Sequence, residues 1–363
     1  MTVPSAAPTR LAPGEAEAVH EATSRVIRDG PWILGPEVAG FEEAWGRFAG
    51  LRHAVGVGNG TDALAVAFSA LGLSPGAGVL LAANEGGYAA TAARMVGLVP
   101  VVMDVDFTSM SPTLETAQAA HRPGVEAIVV THLHGDAVDL EALDTWRRAQ
   151  GLALVEDCAQ AHGLRERGEH VGARADAATY SFYPTKNLGA VGDAGLAGFT
   201  DEGVAARARS LRQYGWGQRF RADLPQGRNS RLDSLQAAVL TARLPFLDER
   251  NARRRAIAAA YADALGPAAR LHGDRTSTVA HHAVVISERR DELAAHLAAA
   301  CIDTVVHYPY LVHEMPGLAA SGSTTHVASR LREEILSLPC FPELTEEETA
   351  LVCRSLSSWA VSP

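Results

Sequence analysis

In the run Ser181-Phe182-Tyr183-Pro184-Thr185-Lys186-Asn187-Leu188-Gly189 a lysine is enclosed by aromatic residues, proline and glycine. That setting does not suit a free surface cation. It suits an amine whose neutral form is accessible and which forms a Schiff base with a carbonyl. Taken alone, a lysine is far more often a solvated or salt-bridged side chain. Some way earlier, Leu154-Val155-Glu156-Asp157-Cys158-Ala159-Gln160-Ala161-His162-Gly163 runs from an apolar strand into two acids. The run places Asp157 at the carboxyl end of a sheet, where open α/β folds bind ligands. A carboxylate there can face a protonated heterocyclic nitrogen, the partner a pyridinium needs; the plainer alternative is a capping or loop acid. Gly56-Val57-Gly58-Asn59-Gly60-Thr61-Asp62 follows a strand and opens a helix, so its backbone N–H groups make an anion site suited to phosphate. A dinucleotide loop fits less well. The spacing is Gly-x-Gly-x-Gly, and Val79-Leu80-Leu81 stands where an acid for ribose hydroxyls belongs.

Other constellations are weaker. Gly227-Arg228-Asn229-Ser230-Arg231-Leu232-Asp233 caps the next helix, a sufficient structural reason for Asn229, Ser230 and Asp233. His132 and His134 alternate near Asp136, and His281 adjoins His282, but no cysteine joins either pair and no helical His-Glu-x-x-His exists. No metal is expected. The absence of a Gly-x-Ser-x-Gly elbow argues against a serine hydrolase.

The elements that must position these residues follow from periodicity. Helical spacing covers Glu15 to Arg28, stopped by Gly30-Pro31, and Glu37 to Ala49. Strands are expected at 53–57, 78–82, 99–103, 127–131, 152–156 and 177–182, with helices such as 63–71 and 140–149 between them. That alternation predicts an α/β fold, a mainly parallel sheet covered on both faces. One long helical zone is expected from Ser234 to Leu265, followed by a smaller α+β unit with a strand at 283–286, a helix at 290–300 and a final helix. We expect a large domain at 1–245 and a small C-terminal domain at 246–363. A chain of 363 residues, 47% apolar, supports such an arrangement. The net charge of −10, without a basic block, argues against a nucleic-acid-binding face. Cys158, Cys301, Cys340 and Cys353 lie far apart and read as reduced thiols. The N-terminus lacks a signal-peptide pattern and no apolar stretch is long enough to cross a membrane, so a cytoplasmic protein is expected.

Taken in order, with these residues, the chain resembles the sugar aminotransferases of the DegT/DnrJ/EryC1/StrS family, pyridoxal-phosphate enzymes of the type I, aspartate-aminotransferase-like fold. The resemblance runs from Gly35-Pro36-Glu37 to His307-Tyr308-Pro309 and Leu336-Ser337-Leu338-Pro339. Residues 156–163 and 181–189 carry it most specifically. It implies that Lys186 holds pyridoxal phosphate as a Schiff base and then carries the proton, while Asp157 keeps the pyridine nitrogen protonated. Gln160 would lie near the ring 3-hydroxyl. Gly60, Thr61 and Ser181 would bind the phosphate, and Asn229 would reach the phosphate of a neighbouring subunit in a homodimer. Where the family has Pro-x-aromatic-Thr-aromatic-x-Ala-Thr, this chain reads Asn84-Glu85-Gly86-Gly87-Tyr88-Ala89-Ala90-Thr91. Tyr88 then falls at the ring-stacking position. His134 stands where tyrosine is common.

The reaction implied moves an amino group from an amino-acid donor, usually L-glutamate in this family, to a keto group on a nucleotide-diphosphate-linked deoxysugar. Tyr183, Tyr214, Trp216, Tyr308 and His313 are expected, on position, to line the sugar site. Arg212-Gln213-Tyr214-Gly215-Trp216 is similar to the segment in 3-aminotransferases. The family also contains 4-keto sugar and aminocyclitol enzymes. A family dehydratase would carry histidine in place of Lys186. A cofactor-binding regulator without turnover is disfavoured by the lack of a DNA-binding segment.

Overall fold

The short apolar runs become strands of one eight-stranded sheet in the computed structural model, which describes residues 2–273, 277–322 and 324–361. In space the strands run His53–Val57, Gly195–Phe199, Ala177–Ser181, Ala153–Asp157, Val125–Thr131, Gly78–Ala82, Val99–Met103 and Ser321–Gly322. Neighbours pair parallel throughout, except that Gly195–Phe199 is antiparallel to both strands beside it. Successive residues feed opposite cores. Val79 and Leu81 pack on one face while Leu80 packs on the other, and Val129 and Ile128 divide in the same way. Both faces are apolar, so the strands read as unbroken hydrophobic runs. This is the mainly parallel, helix-covered α/β sheet expected from the sequence.

Helix Gly60–Leu71 carries seven buried residues and packs on the strands Ala177–Ser181 and Gly195–Phe199. The expected helical zone from Ser234 is not one helix. Pro245 has no N–H to donate, and the chain passes through a 3-10 turn at Leu244–Phe246 between helices Ser234–Arg243 and Leu247–Leu265. Beyond it, Arg270–Leu271, Ala283–Ile286 and Ile335–Leu338 form an antiparallel sheet. Helices Arg290–Ala299 and Glu346–Ala360 lie beside it. The last helix opens on a capping box: Thr345 Oγ1 accepts from Glu348 N (3.1 Å) and Glu348 accepts from Thr345 N (3.0 Å). These elements share a separate core with Ile257, Tyr261, Leu297 and Trp359, which Val3 of the N-terminal segment joins. Among the described residues, no helix is long and apolar enough to cross a membrane.

Candidate active site

Five strands reach the same edge of the sheet. Asp157 ends its strand in register with Thr131 and Thr179, and Ser181 pairs with Gly195, which in turn pairs with Val57. The glycine loop leaves Val57 at this edge. Asn59 caps helix Gly60–Leu71 by accepting from Asp62 N at 2.8 Å. A Cβ on Gly60 would lie 2.6 Å from Ser181 Cβ, and one on Gly195 would collide with the Asn59 carbonyl. The loop is thus drawn tight against Ser181, leaving the helix start with its N–H groups and positive dipole end turned into a cavity.

That cavity, about 390 Å³, is lined by Gly60, Thr61, Tyr88, Asp157, Gln160, Ser181, Tyr183, Lys186 and Tyr308 among others. Nine residues expected at the site therefore meet in one space. Asn229 lies exposed on its loop and is not among the lining residues. The rings of Tyr214 and Trp216 lie tilted, 5.0 Å apart, at the start of the hairpin at 216–222, and His313 approaches Thr325 at 3.3 Å. Those three also lie outside the lining of this cavity.

The lysine loop is folded back on itself. Lys186 N donates to Tyr183 O (2.8 Å), Ala190 N to Phe182 O (2.7 Å), and Phe182 N to Ala194 O (2.8 Å). Asn187 clamps it to distant chain: its Nδ2 donates to Asn251 Oδ1 (2.7 Å) and Val279 O (2.9 Å). Its Oδ1 accepts from His281 Nδ1 (2.9 Å). Burial lowers the Lys186 amine to about 8, with the Asp157 carboxylate pulling the other way. The neutral amine is thus within reach near neutral pH. Burial raises Asp157 above the usual carboxylate range, opposed by the Ala159 amide (3.0 Å) and by Lys186. Around them the imidazoles stay neutral. Burial holds His134, His281 and His282 well below their usual value and brings His307 down to about 4.

Gln160 is oriented by its neighbours: Oε1 accepts from His134 N (2.6 Å), which turns Nε2 to donate to Tyr308 OH (2.9 Å). His134 also meets His282 Nδ1 to Nδ1 at 3.1 Å. Tyr308 stands edge-on to Tyr88 at 5.9 Å. The segment before Tyr88 holds a residue that the sequence reading passed over. Gly86 and Gly87 both take positive φ, and Gly87 precedes helix Tyr88–Met95 without a side chain to cap it. Glu85 supplies the cap, accepting from Ala89 N (3.0 Å) and Ala90 N (3.3 Å). Burial pushes its carboxyl up to about 8, the two amides pulling down and the Asp157 charge pushing further up. Behind the strand end, His132, Glu156 and Cys158 bring potential ligand atoms within 4.8 Å of one another. Those atoms already bond: His132 Nδ1 accepts from Val138 N, so Nε2 donates to Glu156 (2.8 Å), and Cys158 reaches the Glu156 carbonyl.

The donor set fits pyridoxal phosphate: a cradle of N–H groups that a Cβ would fill, a buried carboxylate and a primary amine held near neutrality. Residues 13–357 match the DegT/DnrJ/EryC1/StrS aminotransferase family. The chain is 40% identical over 349 residues to the dTDP-3-amino-3,4,6-trideoxy-alpha-D-glucose transaminase of Streptomyces venezuelae, covering 93% of this chain and 91% of that one. The crystal structure of S. venezuelae DesV superposes with a TM-score of 0.94 at 36% identity, over 100% of this chain and 99% of that one. NtdA of Bacillus subtilis, solved with bound cofactor PMP, superposes at 0.90 with 25% identity, over 97% and 83%.

Proposed function

The chain belongs to the DegT/DnrJ/EryC1/StrS aminotransferase family and is a pyridoxal-phosphate-dependent aminotransferase; from that premise we propose that it aminates C3 of a nucleotide-diphosphate-linked keto deoxysugar, with L-glutamate as donor. The observation that carries the reading is the meeting of Lys186, Asp157 and the Gly60–Ser181 cradle in one cavity. When bound, the cofactor supplies a carbonyl that takes and returns the amino group and a ring that draws electrons from the carbon beside it. The chain does the rest. Gly60 and Thr61 hold the phosphate through the helix start, with Ser181 beside them. Asp157 keeps a proton on the ring nitrogen. The Lys186 amine, kept partly unprotonated near neutral pH by burial, takes a proton from the donor carbon and delivers it two bonds away, across the nitrogen. Gln160 and Tyr88 fix the ring edge and face.

Tyr183 and Tyr308 face the acceptor sugar. Asn229, exposed on its own subunit, completes the phosphate site of a second copy, so the working unit is a homodimer. Tyr214, Trp216 and His313 serve the sugar nucleotide from outside the cofactor cavity. The assignment to C3 rests on the name of the S. venezuelae relative. A division near residue 245 is supported by the break at Leu244–Phe246 and by the separate core around Trp359. Four unpaired cysteines support a cytoplasmic enzyme.

The test is spectroscopic. Purified protein should absorb at the visible–ultraviolet boundary, borohydride should fix the cofactor on the peptide carrying Lys186, and L-glutamate should bleach the band. Mixing the bleached form with nucleotide-linked 3-keto sugars should restore the band, and 4-keto sugars should not. A colourless protein, or label on another lysine, refutes the enzyme reading. Recovery with 4-keto sugars alone refutes the C3 assignment.

A further inference from the structure

Lys186 stands in the wall between two cavities. The cofactor cavity lies on one side. On the other a second one, about 250 Å³, shares Thr185, Lys186, His281, His282 and His307 with it and is closed over by the N-terminal residues Ser5 to Pro8. That lid is pinned, since Val3 N donates to Cys301 O (2.9 Å) and Arg10 binds Glu348 through two nitrogens (2.8 and 3.0 Å). The family's cofactor residues leave this second space without a task.

Its far wall is basic. Arg243 Nε donates to Glu15 (2.7 Å), and Arg250 reaches Glu15 (2.6 Å) and Glu343. Arg254 is 4% exposed; it donates to the backbone carbonyls of His281 (3.3 Å) and Cys340, with the Cys340 thiol beside it, and its Nε has no partner. Two buried guanidiniums, Arg243 and Arg254, and the partly buried Arg250 therefore share two carboxylates, Glu15 and Glu343, and Arg254 makes no ion pair with either, which leaves an excess positive charge beside Lys186. An unpaired charge is costly to bury without a counter-ion. The missing partner is an anion. The space is below the roughly 300–1,000 Å³ of sites for drug-sized ligands, which excludes a nucleotide and admits a small carboxylic acid.

We propose that this cavity, with Arg254 as its anchoring cation, receives a carboxylate of the amino-acid donor. The proposal rests on the aminotransferase reading only for the identity of the ligand. A donor's nitrogen has to arrive where the Lys186 amine works, and its carboxylates then need a cation within a few bonds. The neutral histidines between the two spaces offer no competing charge. Arg254 presents a planar fork that matches a carboxylate.

The probe is glutarate, which has both carboxylates and no amine, titrated into the cofactor-loaded protein by calorimetry. Wild type should bind it, and Arg254→Met should weaken binding about 10- to 100-fold, as expected for one lost charge-assisted contact. In rapid mixing, the L-glutamate concentration that half-saturates bleaching should rise by a similar factor. The reaction of the bleached form with keto sugar should change less than about threefold. Unchanged glutarate affinity in a folded Met variant overturns the proposal. Should that variant fail to fold, Glu343→Gln decides. Removing one wall acid should tighten glutarate binding about threefold or more, a gain of a fraction of a charge contact, and unchanged or weaker binding overturns the site. If glutamate bleaches nothing but glutarate still follows both variants, the carboxylate site stands and the donor assignment fails.

Discussion

The carboxyl group of Glu85 caps the start of helix Tyr88–Met95 because neither Gly86 nor Gly87 carries a side chain that can. Burial raises its carboxyl from 4.5 to about 8, so between those values the folded chain binds a proton that the unfolded chain has released. The contribution is fully present below 4.5 and is lost as the pH rises through about 8. Glu85→Gln keeps the shape and removes the titration. Followed by thermal unfolding, wild type should lose roughly 1 kcal/mol per pH unit relative to the Gln variant between about pH 5 and 8, and the difference should level off above that range. A difference independent of pH would show that the carboxyl titrates normally. At this scale the sequence was readable where type and neighbours coincide: Lys186 and Asp157 sit in runs whose composition already argues for a buried amine and a strand-end acid. Glu85 was not. Its burial comes from the fold around Tyr308, far along the chain, and a local reading sees only an acid beside two glycines.

Elements carry the lysine to its place, and the strongest tie is Asn187. It bonds helix Leu247–Leu265 through Asn251, the segment leading into strand Ala283–Ile286 through Val279, and His281. Asn187→Ala strands several buried polar groups at once, so urea unfolding should show a loss of about 3 kcal/mol, with weaker retention of the cofactor band on dilution. A loss below about 0.5 kcal/mol would mean that the loop holds itself without the clamp. Most strands were legible because both their faces are buried and most of their residues are apolar, the polar ones falling mainly at the ends. Gly195–Phe199 escaped notice for a tertiary reason. Gly195 makes room for the Asn59 carbonyl, and a Cβ on Gly198 would come within 2.6 Å of Leu51 Cδ1. Glycine weakens the local strand signal at the positions where another segment approaches most closely. The break at Leu244–Phe246 carried a visible signal in Pro245; helical periodicity on both sides concealed it.

For the whole molecule, the exposed position of Asn229 sets up a test by mixing. Lys186→Ala and Asn229→Ala should each be inactive as pure dimers. After co-refolding in equal amounts, about half of the dimers are mixed and each holds one site with both residues intact, so about a quarter of wild-type activity should return. No recovery would mean that Asn229 serves its own subunit. The reversed strand Gly195–Phe199 has a further consequence. Because Ser181 and Gly195 are register partners, residues 182–194 leave the sheet and rejoin it at adjacent points. The entropy of closing such a loop grows slowly, about 0.6 kcal/mol for each doubling of length. Replacement of the exposed Tyr183 side chain leaves the two anchorages in register. Within the segment that presents the amine, Tyr183 is exposed while Asn187, Leu188 and Ala190 are buried, so the side chain facing the acceptor can change without disturbing either the clamp or the sheet that carries it.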